Sequence, residues 1–569
     1  MTRRLLLGLA ALLAAIAVLV AVSGGFRTTI GGLRVSARSP IPIGFLALTN
    51  GVMWLAAARR HQSIAADLEF VWRGMVLHAH RIVLAVALTV AIVSAAFATR
   101  SAAGADASGY VSESAMLISG RLFHVDELSA LTRGYDSYLT SPLGWRSAPV
   151  EGRQSPTYPP GLPLLMAVPH AIAGVNGASA AVIAMAAVAV IVTGLLATEL
   201  GGTIAGVLAA VLLAFSPVFI HQSIQPMSDV PVTAAWMSCF LLVARKGGSS
   251  AATAGGVACA LAILIRPNLA PLAIVPLVLV RHRIAFAIPV VIAGVVLAYL
   301  QWLWYGSPLR SGYGAAEELF SFANIASNVP RYFSWLMSTA PLLLLTAFGF
   351  WRSRRDRVAL ALFAFAALVV GAYLVYAVFD EWSYLRFLLP AMAVFAVFTA
   401  VELSAWIARL PISVRAPLLF ALVLVAMAHG IWVARSLDTF KLAGQLRRVS
   451  VVGDYINADV PPSAVILAGE QSGSMRYYAD RPILRWEAAT PESLAASITS
   501  LQQSRRPVYI VLDGWEDQPF RARFASLPVG ALDWPPMLEA GTTPRTRLWK
   551  LDDREKFLRG EKLNTIRLP

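Results

Sequence analysis

Two aspartates stand where apolar runs meet polar sequence. Asp106 lies in Gly104-Ala105-Asp106-Ala107-Ser108-Gly109-Tyr110, just past one apolar run and at the start of a long polar loop. Asp229 lies in Gln225-Pro226-Met227-Ser228-Asp229-Val230-Pro231, where one apolar run ends and the next begins. A carboxylate beside hydrocarbon is costly and is usually kept for a task. Asp106 has the chemistry of a general base that strips a proton from an acceptor hydroxyl or amine. Tyr110 and Glu113 follow one and two helical turns later, on the same face. The competing role is structural. Aspartate before a helix commonly caps backbone N–H groups, and on spacing alone capping is favoured for Asp106. Pro231 suits a first helical turn, so Asp229 also reads as a cap.

Two arginines add the complementary charge. Arg266 interrupts apolar sequence in Leu264-Ile265-Arg266-Pro267-Asn268, and Arg386 follows a charged stretch in Asp380-Glu381-Trp382-Ser383-Tyr384-Leu385-Arg386. Guanidinium groups bind phosphate through two parallel hydrogen bonds. For Arg266 the alternatives are a salt bridge to Asp106 or Asp229, or snorkelling. Asp380 and Glu381 are further candidate substrate contacts. Trp382 and Tyr384 fit an aromatic belt better than sugar stacking. Ser155-Pro156-Thr157-Tyr158-Pro159-Pro160-Gly161 reads first as a rigid entry into a helix, with Tyr158 as a candidate substrate contact. Tyr313, in the polar 305–331 stretch, is another.

The elements that must position these residues are membrane spans. The 569-residue chain is 57% hydrophobic and 14% charged, against roughly 25% charged in soluble domains. Runs long enough to cross about 30 Å of hydrocarbon fall near 5–23, 41–58, 82–100, 177–198, 203–221, 229–244, 253–266, 268–281, 284–303, 332–350, 358–379, 387–408 and 415–434, about 13 in all. The pair around Arg266-Pro267 is short enough to be one broken or re-entrant element. The 162–175 run is too short and broken to span and reads as interfacial. The N-terminal run to Gly25, after Arg3 and Arg4, is longer than a signal-peptide core and reads as a retained first span.

Arginine sets the orientation. Arg59, Arg60, Arg73, Arg81, Arg245, Lys246, Arg281, Arg283, Arg352, Arg354, Arg355 and Arg357 fall on one side of alternating spans, as cytoplasmic loops require. Arg27, Arg34 and Arg38 fall outside, a mild violation. The polar loops holding Asp106, Asp229, 305–331 and 380–386 collect on the outer face. The net charge of +15 is then a topology signal, and no basic patch with interleaved aromatics points to nucleic acid. Cys239 and Cys259 both sit in apolar runs and make neither a disulfide framework nor a metal motif. From about residue 435 the sequence turns polar. Ala464–Ala468 and Val508–Leu512 read as buried strands, and Glu492–Gln502 as a helix, giving a small α/β unit outside the membrane. The division is thus 1–81, two N-terminal spans and a cytoplasmic loop; 82–434, the membrane domain with outer loop 101–176; and 435–569, the extracytoplasmic α/β domain.

The order Asp106, Tyr158-Pro159-Pro160-Gly161, Ser216-Pro217 before Asp229, Arg266-Pro267, Tyr305-Gly306-Ser307-Pro308 and Arg386 to Pro390 resembles the GT-C glycosyltransferases. The branch it resembles contains the protein O-mannosyltransferases and the lipid A aminoarabinose transferase, and the likeness covers roughly residues 82–410. The resemblance implies transfer of a sugar from a polyprenyl-phosphate donor to a lipid, glycan or protein acceptor at the outer face of the cytoplasmic (inner) membrane. Asp106 matches the catalytic carboxylate, Asp229 the second acidic position, and Arg266 and Arg386 the basic positions near the lipid phosphate. The implied reaction is a single inverting displacement. No cofactor follows from it; a divalent metal is compatible, though no ligand cluster argues for one. Where family members often carry Asp-Glu this chain has Asp106-Ala107, which leaves Glu113 as a substitute carboxylate. The two spans before residue 60 lie outside the family pattern. A transporter would show internal repeats and charges near the bilayer midplane, and a non-catalytic envelope assembly protein is a third reading. The shared-cleft hypothesis requires Asp106 and Asp229 to approach each other.

Overall fold

Helices form along the apolar runs and break where proline and glycine break them. The computed structural model describes residues 2–568 apart from 31, 32, 38 and 246; Arg38 and Lys246, both used in the topology reading, lie outside the described residues. Among the described residues eight helices are long and apolar enough to cross a membrane, and up to ten spans result if each of two bent pairs is one. The expected count of about 13 was higher because several runs share or shorten their helices. The 162–175 and 177–198 runs join in Gly161–Gly201, which kinks at Ala173 and Gly174. Before that kink Leu164, Val168 and Ile172 stand exposed at four-residue spacing, one apolar stripe along a helix face. The 203–221 run bends by 65° between Ala214 and Pro217, and 332–350 by 111° at Pro341, where the ring removes a backbone donor and clashes with the preceding turn. Asp229–Ala244 and Ser249–Ile265 are shorter apolar helices.

The helix order places like loops together. Arg245 pairs with Glu199 and Arg352 with Glu402 at one end of the bundle. Asp106, Asp229, Arg266 and Arg386 gather at the other. Leu389–Ala408 is buried along most of its length and packs against Thr203–Ala214, Gly161–Gly201 and Asp229–Ala244. The connection between the first two spans, which carries Arg27 and Arg34, contains an antiparallel hairpin, Phe26–Ile30 with Leu33–Ala37.

After Ile412–Ser436 the chain forms a six-stranded sheet in the order Ile566–Leu568, Leu538–Ala540, Thr546–Lys550, Val508–Asp513, Val465–Ala468, Ile483–Arg485. The last three are parallel and Thr546–Lys550 is antiparallel to its neighbours. Both predicted strands are buried on both faces, which explains their unbroken apolar sequence. Val465 and Leu467 face Leu494, Leu501 and Phe520, while Ile466 and Ala468 face Val449, Ile456 and Met475. That alternation is the two-residue period of a strand.

Candidate active site

Asp106 is the second residue of the Ala105–Ile118 helix, whose cap is Gly104 with φ +77°. Its carboxylate therefore does not cap the helix. Oδ1 accepts from the Tyr158 hydroxyl at 2.7 Å and Oδ2 from Arg386 Nη2 at 2.7 Å. Asp229 is likewise the first residue of its helix, behind Ser228. Its Oδ1 accepts from Arg266 Nη2 at 2.6 Å, and Oδ2 lies 4.0 Å from Arg386 Nη1. The capping reading, favoured on spacing, gives way in both cases because each carboxylate has a cationic partner from a distant segment. Four side chains thus alternate in sign: Arg266, Asp229, Arg386, Asp106.

Their burial separates their capacities. Asp229 keeps 1% of its side chain exposed, Arg266 10% and Arg386 11%, whereas Asp106 keeps 32%. Asp106 is the carboxylate that a reactant can reach. Desolvation disfavours its charge, but the Arg386 guanidinium and the Tyr158 hydroxyl outweigh it and hold the carboxyl below its ordinary range. Arg266 Nη1 and Arg386 Nε are buried without a hydrogen-bond partner among the described residues. A dry, unmatched guanidinium donor is costly, and both would be satisfied by an anion.

Local sequence explains how these groups meet. A Cβ on Gly161 would lie 2.3 Å from the Ile265 nitrogen, so Pro160-Gly161 lets the helix start against the backbone that carries Arg266. Gly109 faces the Tyr158 ring, where a Cβ would sit 2.1 Å from the ring edge. Tyr158 can then lie flat over the Asp106 helix, 4.6 Å from the Tyr110 ring. Gly312 lies on Thr157, leaving no space for a side chain, and Tyr313 meets Tyr158 edge-on at 5.8 Å.

Other candidates sit elsewhere. Glu113 is fully buried, both its oxygens are without a partner among the described residues, and burial raises its pKa well above the ordinary carboxylate range. It does not join the Asp106 cluster, so it does not replace an acidic residue at position 107. Asp380 is exposed and paired with Arg331 at 2.7 Å, and Glu381 is exposed. The 380–381 acids border the site without entering it. Trp382 packs edge-on against His221 and Tyr384 stacks on Phe379, so neither ring is a free stacking platform.

Sequence reasoning missed four contributors. Ser228 Oγ accepts from Arg266. Phe387 lies 5.7 Å and 5.3 Å from the Arg266 and Arg386 guanidinium carbons, a cation–π distance. Glu470 and Gln471 arrive from the C-terminal sheet. Burial, with the charges of Glu487, Asp513 and Asp106, pushes the Glu470 carboxyl up to about 7. The one signal available was the position of Gly469-Glu470-Gln471 just after a predicted buried strand of an α/β unit, since α/β sheets place sites past the ends of their strands. Among the described residues no three His, Cys, Asp or Glu side chains converge as metal ligands.

Comparison with known proteins agrees with this architecture. Residues 157–305 match the family model described as dolichyl-phosphate-mannose-protein mannosyltransferase. No curated protein matches the chain in sequence. Among solved structures, ArnT from Cupriavidus metallidurans bound to undecaprenyl phosphate is similar with a TM-score of 0.54 at 14% identity, over 82% of this chain and 97% of that one. The apo form of the same protein gives 0.53 at 13% identity, with the same coverage. The Archaeoglobus fulgidus oligosaccharyltransferase tethered with an acceptor peptide gives 0.50 at 14% identity, over 83% of this chain and 74% of that one. At these identities the likeness is one of fold. The resemblance to GT-C glycosyltransferases thus rests on a matched segment and on the shared architecture of a multi-span membrane protein with a C-terminal domain.

Proposed function

We propose that this protein is an integral-membrane glycosyltransferase. It moves a sugar from a polyprenyl-phosphate donor to an acceptor at the outer face of the cytoplasmic membrane, with residues 435–569 on the extracytoplasmic side. The observation that carries the reading is the Asp106–Arg386 pair at 2.7 Å, an accessible carboxylate held against a buried two-arginine cluster. The matched family segment and the shared fold support it. The undecaprenyl phosphate in the ArnT structure points to the donor class.

The chemistry follows from the charges. Asp106 takes the proton of the acceptor hydroxyl or amine as that atom attacks the anomeric carbon. The bond from that carbon to the phosphate oxygen breaks on the opposite face, and its electron pair leaves with the lipid phosphate. Arg386 and Arg266 face the charge that develops there, where preorganised donors act most strongly. Arg386 Nε and Arg266 Nη1, unpartnered among the described residues, are the donors placed to receive it. A transporter places its charges at the midplane between repeated halves, whereas these four lie at one end of the bundle.

The test is release of free polyprenyl phosphate from a panel of polyprenyl-phosphate sugars, wild type beside Asp106→Asn. Loss of a general base costs about 10²–10⁴-fold, so turnover present in the wild type and reduced on that scale in the variant is the expected result. Turnover that survives the substitution removes Asp106 from the mechanism.

A further inference from the structure

We infer that the C-terminal sheet is a working part of the Asp106 site, with Gln471 as the residue that positions the helix carrying Asp106. The role assigned to Asp106 rests on the function proposed above; the contact itself does not.

Three links join the two regions within a few residues of Asp106, and a fourth joins them at Leu143. Gly104 N–H donates to Gln471 Oε1 at 3.3 Å, Ala102 N–H to the Tyr478 hydroxyl at 2.7 Å, and Leu143 N–H to Ser472 Oγ at 3.0 Å. Ser101 and Ser450 bond through their hydroxyls at 3.2 Å. Ala103 packs in the same apolar cluster as Val449, Ile466 and Met475. Gly473 is seated so closely that a Cβ would lie 2.3 Å from Leu143 O and 2.5 Å from Ser108 Oγ.

Gln471 is the best placed of these to set a position. It is buried, and both ends of its amide are used. Nε2 donates to Asp513 Oδ2 at 2.9 Å, and Oε1 also accepts from Ser474 at 3.2 Å. Asp513 is itself held by Arg448 at 2.9 Å and by Thr546. Turning the amide over would set its NH₂ against the Gly104 N–H and its oxygen against the Asp513 carboxylate, so only one orientation is satisfied. A chain of three buried residues, Arg448, Asp513 and Gln471, therefore runs from the sheet to the half-buried Gly104 at the cap of the Asp106 helix. Gly104 adopts φ +77°, which glycine reaches without steric cost, and its N–H is the donor that meets Gln471. Asp106 lies two residues beyond.

The test uses the full-length protein in lipid nanodiscs, comparing wild type, Gln471→Ala and Gln471→Glu. Hydrogen exchange of amides 102–108 is read first. Protection in that segment is expected to fall about tenfold in both variants, with Val508–Asp513 and Leu389–Ala408 unchanged, as local opening permits. Unchanged protection at 102–108 overturns the inference, and so does loss throughout the sheet, which would make Gln471 a stabiliser of its own region. The second readout is the pH profile of lipid-phosphate release. Asp106 faces Arg386, Arg266, Tyr110, Tyr158, Tyr313, Tyr376, Tyr384 and Glu470. Displacing it from Arg386 is expected to lower kcat about 10²-fold, the scale for a 1 Å misplacement, and to move the acid limb to higher pH. A smaller active fraction would lower kcat without moving that limb, and that outcome counts against positioning. A wild type that turns over no donor defeats the functional reading, while the exchange arm still decides the contact.

Discussion

At the scale of single residues, the site turns on how Asp106 stays ionised while remaining available as a base. Two donors share that task, Arg386 and Tyr158. A hydrogen bond to the charged form lowers a carboxyl pKa, and its removal raises it. Tyr158→Phe deletes one donor and keeps the ring against Gly109. The acid limb of lipid-phosphate release is therefore expected to move to higher pH, with at most about a 10²-fold loss at pH 8 for a hydrogen bond to a charged group. A profile that stays in place would show that the Tyr158 hydroxyl does not act on the ionisation of Asp106. The types and places of these residues were legible in the chain: an Asp past a span, an Asp at the mouth of another, an Arg between apolar runs. Their partners were not, because Arg266 and Asp229 are 37 positions apart and Arg386 and Asp106 are 280 apart. Only the packed bundle turns two apparent helix caps into one alternating cluster.

At the scale of elements, glycines fix how closely helices approach. Gly161 starts a long helix against the end of Ser249–Ile265, and a Cβ there would press on backbone at Leu264 and Ile265 at 2.4 Å and 2.3 Å. Backbone cannot swing aside as the tip of a side chain can. Gly161→Ala must push the helix start away from Arg266 or shift Arg266 itself. Overpacking of this kind costs about 1–3 kcal/mol, and the expected result is a lowered melting temperature together with reduced lipid-phosphate release. A variant with wild-type stability and rate would mean that this approach is not needed. The sequence announced a rigid helix entry at Pro-Pro-Gly, though not the close approach it makes, and it announced two strands of the mixed sheet through their apolar runs. It hid the number of crossings. A run of apolar residues reads the same whether its helix spans, bends at Ser216-Pro217, or stops after 16 residues within the bundle. The order of the sheet was also hidden, since pairing between distant strands leaves no local mark.

At the scale of the whole molecule, the functional reading requires that the end of the bundle bearing Asp106 faces out of the cell. The arginines set this expectation, because the ends holding Arg245, Arg352, Arg354, Arg355 and Arg357 belong inside by the positive-inside rule. The opposite end carries the 101–160 loop and the C-terminal sheet, docked onto it through Gln471, Ser472 and Tyr478. The two native cysteines, Cys239 and Cys259, are buried, so they give little background to a thiol reagent. Glu151, in the 101–160 loop, keeps 86% of its side chain exposed, and Arg355, at the arginine end, is exposed. Single cysteines at these two positions report both faces. With a membrane-impermeant maleimide on intact cells, Glu151→Cys is expected to label at once and Arg355→Cys only after permeabilisation. The reverse pattern would place the Asp106 cluster on the cytoplasmic side. A donor flipped to the outer leaflet would then be out of reach, and the acceptor would have to be a cytoplasmic molecule.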